Sequence, residues 1–358
     1  MRRRRVVITG ASGNVGTALL RKLAAANTDY EVHGIVRRRP PPTDAYRVAR
    51  WHEVNLADPR VVTRLQRLFH KAHCVVHLAW ALQPTRNPRY VDAVGVDGSS
   101  AVLIAAHAAD VGHLVYLSSA GTYAATPGRR VDESWPTAGV PTSAYSRAKS
   151  AVEALLDDYD RTGNGVPITR LRPGLIVQRD AAASIRRYAF PTYLHPRWLR
   201  LLPVLALDGA LQVPVIHADD VADACVRAME RRAFGAFNLS AEPPIRRDDI
   251  ARLLRAIPIN FPFRLMRPLV DVSWWAGLQP VDPGWLDLVF SMPLLNTERA
   301  RTVLDWCPQR TSRSALTELA EGLLRNDGTE SPVLESRSLV DSLWRDLASG
   351  PISRREES

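Results

Sequence analysis

Residues 6–16 commit the chain to a strand, a tight glycine turn and a helix in immediate succession. The apolar run Val6-Val7-Ile8-Thr9 leads directly into Gly10-Ala11-Ser12-Gly13-Asn14-Val15-Gly16, and Val15, Ala18, Leu19 and Leu23 then recur at helical spacing. Gly10 permits a sharp exit from the strand. Gly13 lets a backbone approach a pyrophosphate, and Gly16 lets the helix pack close to the sheet. The N–H groups of the helix start then face the phosphates with a partial positive charge. A glycine turn without a ligand is the bland alternative, and its place between a first strand and a first helix argues against it.

The rest of the first half repeats the alternation. Glu31–Val36, Arg50–Asn55, Cys74–Ala79, Leu114–Ser118 and Ile168–Leu171 read as strands; Val61–Phe69, Val91–Ala109 and Ala144–Tyr159 read as helices. Strands alternating with helices predict an α/β fold, a doubly wound parallel sheet of the Rossmann type. The expected division is a dinucleotide-binding domain over 1–174, with 213–240 returning to it. A smaller substrate-binding lobe would take 175–212 and 241–325. In the tail, 326–358, Leu339, Val340, Leu343, Trp344 and Leu347 fall on one helical face, read as docking onto the body, with a membrane or partner helix as the alternative.

Charge restricts the partners less than it first suggests. The 358 residues carry a net charge of +10, and of 47 basic residues only Lys22, Lys71 and Lys149 are lysines. The arginines are spread along the chain without a nucleic-acid module, so the reading is a small-molecule substrate and no nucleic acid. The run Leu201–Leu207 is too short to span a bilayer, and Arg2–Arg5 precede no signal-peptide core. Three cysteines without metal spacing (Cys74, Cys225, Cys307) fit a reduced cytoplasm, and no metal site is expected.

Two clusters point to chemistry. After the second strand, where an acid would bind both ribose hydroxyls of NAD, stands Val36-Arg37-Arg38-Arg39. Guanidinium forks at Arg37 and Arg38 suit a 2′-phosphate, so NADP is preferred over NAD; a solvated charge run is the alternative. Asn55 and Leu56 would sit near the adenine, and Leu78, Ala79 and Trp80 near the nicotinamide-side ribose. The second cluster is Tyr145-Ser146-Arg147-Ala148-Lys149, which puts a phenol and an ammonium on one helix face, with Ser119 at a strand end upstream. A neighbouring ammonium would lower the phenol's pKa toward the working range, and Ser119 would polarise a carbonyl.

With these pieces in order, the chain resembles the extended short-chain dehydrogenase/reductase superfamily, also called the NAD-dependent epimerase/dehydratase family, over about 5–325. The resemblance rests on the glycine turn, His77-Leu78-Ala79-Trp80, Ser118-Ser119-Ala120-Gly121-Thr122-Tyr123, Tyr145 to Lys149, Arg172-Pro173-Gly174, His217-Ala218-Asp219-Asp220-Val221-Ala222 and Asn296 to Trp306. It implies Ser119, Tyr145 and Lys149 as catalytic residues, Pro173 beside the nicotinamide, a structural role for Asp220, and a homodimer through helices 91–109 and 144–160. Three positions depart from the pattern: Gly95 replaces a usual Asn, no Asn follows Arg172-Pro173, and the Arg37 cluster sits poorly with tightly held NAD. The leading expectation is an oxidoreductase moving hydride between nicotinamide and a carbonyl or alcohol, with Tyr145 as general acid/base. A sugar-nucleotide 4-epimerase or dehydratase and a non-catalytic cofactor sensor are the alternatives. Trp274, Trp275, Trp285 and Trp306 are read as core and lid, hinting at a less polar substrate.

Overall fold

A computed structural model describes residues 4–26, 29–81, 89–163, 165–191, 194 and 196–336. The amphipathic stretch expected at 339–347 lies outside the described residues. Seven strands form the main sheet: β1 (Arg4–Thr9), β2 (Tyr30–Val36), β3 (Ala49–Glu53), β4 (Cys74–His77), β5 (Leu114–Leu117), β6 (Ile168–Pro173) and β7 (Gly235–Leu239). Every pairing is parallel and the order is β3-β2-β1-β4-β5-β6-β7. β1 lies between β2 and β4, so the order reverses there, and the crevice beyond Thr9 and His77 is where such sheets take ligands.

Side-chain alternation explains why both faces are covered. Val6, Ile8, Cys74, Val76 and Val115 enter one cluster, while Val7, Val75, Leu114 and Tyr116 enter another. The first face is closed by α1 (Asn14–Ala25) through Ala18, Leu19 and Leu23. The second is closed by α2 (Val61–Phe69), α3 (Gly98–Ala108) and α4 (Ala144–Arg161), through Leu65, Phe69, Val102, Val152 and Leu156. On the first face α5 (Ala218–Arg231) lies beside α1. The later helices include α6 (Phe263–Trp275), α7 (Pro283–Ser291) and α8 (Ser312–Arg325). A third cluster, including Tyr123, Val177, Val213, Ile245, Leu288 and Leu319, lies past the carboxyl ends of β5 and β6.

Two expectations need correction. The strand from Cys74 ends at His77, not Ala79. The helix expected over Val91–Ala109 is broken: a short helical turn at Arg89–Asp92 passes into a π-turn at Ala93–Asp97 before α3 begins. The Gly98 N–H reaches back five residues to the Ala93 carbonyl, and the Ser99 hydroxyl donates to the Gly95 carbonyl at 2.5 Å. The apolar period of Ala and Val residues continues unbroken through this bulge, so the sequence carries no mark of it.

Candidate active site

The glycine turn sits at the strand-order reversal with its helix start open. Gly13 is the N-cap of α1 and supplies no side-chain cap, and no acid stands in the first turn. The first N–H groups of α1 are thus left for an anion. Gly10 has φ +69, and a Cβ there would meet the Ala79 backbone at 2.7 Å; a Cβ on Gly16 would meet the Gly10 carbonyl at 2.4 Å. Both glycines are therefore demanded by close approach. A cleft runs from this turn past Gly10, Ser12, Gly13, Arg37, Arg38, Asn55, Leu56, Leu78, Ala79 and Trp80. These ten expected cofactor positions are brought together, and nothing among them but the two arginines is charged.

The remaining expected positions lie off the cleft wall. Val15 is buried in the core, and the Asn14 side chain turns to the stretch after β6, taking a 2.7 Å hydrogen bond from the Gln178 amide. Pro173 ends β6, where it pairs with Leu239. Sequence reasoning missed one wall. The Ser331 hydroxyl donates to the Ser12 carbonyl at 2.7 Å, Arg38 donates to the Pro332 carbonyl at 3.2 Å, and Val333 lines the cleft. The start of the expected tail thus lies on the glycine turn itself.

The residues expected to transfer protons lie beyond β5. Tyr145 is packed between two indoles, 6.0 Å from Trp80 edge-on and 4.9 Å from Trp285. Burial pushes its phenol above the usual range, while the neighbouring Ser119 side chain pulls the other way. Lys149 is 3 % exposed and donates to the Leu117 carbonyl at 2.8 Å and to the Tyr116 hydroxyl at 3.3 Å. Burial lowers it to about 7, with Glu153 opposing. The lysine's own hydrogen bonds go to the end of β5, and none runs to Tyr145.

Trp80 and Gly95 explain each other. The Lys149 ammonium lies 3.7 Å from the Trp80 ring centroid, a cation–π contact. A Cβ on Gly95 would stand 3.0 Å from the outer edge of the same indole. Glycine at 95 thus makes the room that Trp80 fills, and the bulge places that glycine there. A buried chain fixes the bulge: Thr9 and His77 Nδ1 share a 2.6 Å hydrogen bond, His77 Nε2 donates to Ser99 at 2.9 Å, and Ser99 donates to Gly95. Burial, with the Lys149 charge, pushes the imidazole down to about 3, so it stays neutral and directional. Gly95→Asn is expected to cost about 1–3 kcal/mol by overpacking against the indole, relieved in Gly95→Asn with Trp80→Ala; urea unfolding of the three variants measures both.

A family model described as NAD dependent epimerase/dehydratase family matches residues 6–240. The chain belongs to this family. A UDP-glucose 4-epimerase from Rhizobium leguminosarum bv. trifolii is 25% identical over 338 residues, 85% of this chain and 92% of that protein. The L-arabinose 1-dehydrogenase (NAD(P)(+)) of Haloferax volcanii is 28% identical over 239 residues, 60% and 89% of the two chains. The fold matches the crystal structure of a UDP-glucose 4-epimerase from Thermus thermophilus in complex with NAD at a TM-score of 0.65 and 21% identity, over 89% of this chain and 98% of that one. This member of the NAD-dependent epimerase/dehydratase family is an enzyme of the oxidoreductase or epimerase type.

Within the family pattern, Arg172 was legible as a motif but not as a charge. It donates to both oxygens of Glu153, each at 2.9 Å, and to the Tyr123 hydroxyl at 3.1 Å. Asp220 accepts from the Gln309 N–H at 2.8 Å ahead of α8, and the fully buried Trp306 indole donates to its carbonyl at 2.9 Å. Asp220 and Trp306 are scaffold, as expected, and Trp285 covers Tyr145. Trp275 departs from the core-and-lid reading, being 64% exposed.

Proposed function

We propose a net oxidoreductase that prefers NADP(H) and acts on a carbonyl or alcohol of low polarity. The observation that carries this reading is the pair Arg37 and Arg38 on the cleft wall where a ribose-binding acid would select NAD. Gly10, Ser12, Gly13 and the open start of α1 would hold the pyrophosphate, Asn55 and Leu56 the adenine, and Leu78, Ala79 and Trp80 the nicotinamide side. The bound nicotinamide supplies or accepts the hydride. Ser119 polarises the substrate oxygen and Tyr145 exchanges its proton. Lys149, fixed by the Leu117 carbonyl and the Trp80 face, holds the ribose side. The indoles of Trp80 and Trp285 beside the phenol favour an apolar reactant. The parts 175–212 and 241–325 would form the substrate side, and the helices at 91–109 and 144–160 a homodimer contact.

Titration with NADPH and NADH checks the cofactor reading. Replacing Arg37 and Arg38 by Ala is expected to weaken NADPH binding about tenfold or more, since charge-assisted hydrogen bonds contribute about 1.5–3 kcal/mol, and to leave NADH nearly unchanged. Equal loss for both cofactors refutes the 2′-phosphate role. The second reading, a 4-epimerase, is favoured by the full-length similarity to the Rhizobium protein. It requires cofactor retained through purification and unchanged over turnovers, which mass spectrometry of the purified protein distinguishes from exchangeable cofactor.

A further inference from the structure

Helix α6 has no buried residue, although eight of its 13 residues are Phe, Leu, Met, Val or Trp. Leu265, Leu269 and Val272 follow one another at helical spacing and are 57%, 61% and 69% exposed, and Trp275 continues the same stripe. The opposite side holds the helix to the body. The Phe263 ring lies 4.9 Å from Phe290 of α7, and Arg267 donates to Asp287 of α7 at 3.0 Å. The stripe therefore faces outward by construction, with the anchoring contacts already used on the other side.

A second set of exposed apolar residues precedes it in the chain. Val204–Leu207 and Ile257–Asn260 pair as two parallel strands, with Ile257 beside Val204 and Ile259 beside Ala206. Ile257 is 66%, Ile259 47% and Val204 38% exposed, and the preceding Leu201 is 77% exposed. The Phe263 N–H donates to Asp208 at 2.7 Å, tying the start of α6 to the end of the first strand. Exposed apolar residues gathered on one helix and one strand pair mark a candidate interaction site.

Charge identifies the partner. The segments 196–207 and 255–278 contain Arg197, Arg200, Arg255 and Arg264, besides Arg267, which pairs with Asp287 and Asp271. Arg200, Arg255 and Arg264 are exposed beside the apolar residues. An outward stripe of Leu, Val and Trp rimmed by arginines is the pattern of a helix lying in a membrane interface, and arginine favours anionic headgroups. Among the described residues no helix is long and apolar enough to cross a membrane, so the contact is peripheral.

We propose that α6 and the paired strands 204–207 and 257–260 dock this protein on an anionic lipid bilayer. The face is one helix away from the site: α7, on which α6 rests, carries the Trp285 that covers Tyr145. An apolar substrate dissolved in the bilayer would thus meet the lid side of the enzyme. The docking itself does not depend on the redox reading.

The test is co-sedimentation of the full chain with phosphatidylcholine vesicles, with and without phosphatidylglycerol. Binding is expected with phosphatidylglycerol, falling as salt screens the arginines. Leu269→Glu with Val272→Glu is expected to weaken it at least about tenfold, while cofactor binding persists and shows that the variant is folded. No association with the anionic vesicles, or association undiminished in the double variant, overturns the proposal. Concentration-dependent dimers abolished by the same variant, without vesicle binding, overturn it in favour of a second copy. Vesicle binding seen only after removal of residues 337–358 overturns it for the intact chain.

Discussion

Tyr145→Phe is expected to lower kcat about 100- to 10,000-fold, the range that a positioned general acid contributes, with cofactor affinity and folding stability nearly unchanged. The substitution removes one oxygen and keeps the ring, so the contacts with Trp80 and Trp285 survive. Single-turnover kinetics with reduced cofactor separates loss of the proton step from loss of binding. The pH dependence carries a sign. Reduction of a carbonyl needs the protonated phenol, which burial holds above its ordinary value of about 10. The reductive rate should therefore not fall through neutral pH on account of Tyr145, whereas oxidation, which needs the phenolate, should rise with pH. An inflection near 7 in either direction belongs to Lys149, which burial lowers to about 7. Lys149→Met should abolish that inflection. Unchanged turnover in Tyr145→Phe would refute the general-acid role of Tyr145.

The residues that announced this site are those whose reason is local. A glycine turn needs its glycines within seven positions, and a tyrosine and lysine one helical turn apart share a face whatever packs on them. What the sequence withheld depends on contacts between distant positions. Gly95 stood out as a missing Asn, but only the structure shows that Trp80, 15 residues earlier, fills the vacated space. Ser331 reaches Ser12 across 319 residues, and no periodicity links them. The stripe on α6 has the same spacing as a buried helix face, since period gives the face but not the side on which the body lies. Glu153 gave no signal beyond being one turn past Lys149, because its arginine partners lie on a strand that follows later in the chain.

That carboxylate supports the second large expectation: Glu153→Leu should cost about 3–5 kcal/mol of stability, because it leaves a buried guanidinium without its counter-charge. Glu153 is fully buried and takes hydrogen bonds from Arg172 at 2.9 Å, Arg170 at 3.1 Å and Ser118 at 2.5 Å. Burial alone would raise its pKa, but the Arg172 bonds and charge, aided by Ser118 and Arg170, hold it below the usual carboxylate range. The linkage sign follows. A carboxyl depressed in the folded state stabilises above its unfolded pKa of about 4.3, and that contribution is lost as pH falls through the folded value. The stability gap between wild type and Glu153→Gln, read by urea unfolding, should therefore hold from neutral pH down to about 5 and narrow below about 4. Arg170 keeps Asp157 and Asp160 when Glu153 is removed, whereas Arg172 keeps only Tyr123 and a carbonyl of Glu133. Adding Arg172→Met to Glu153→Leu should accordingly recover part of the loss, while Arg170→Met should recover less. A loss under about 1 kcal/mol in Glu153→Leu would refute the tether. Because α4 carries Tyr145, Lys149 and Glu153 on successive turns, the same ion pair that holds the helix to β6 also sets where the phenol stands, so the stability loss should bring a fall in kcat even at temperatures where the variant remains folded.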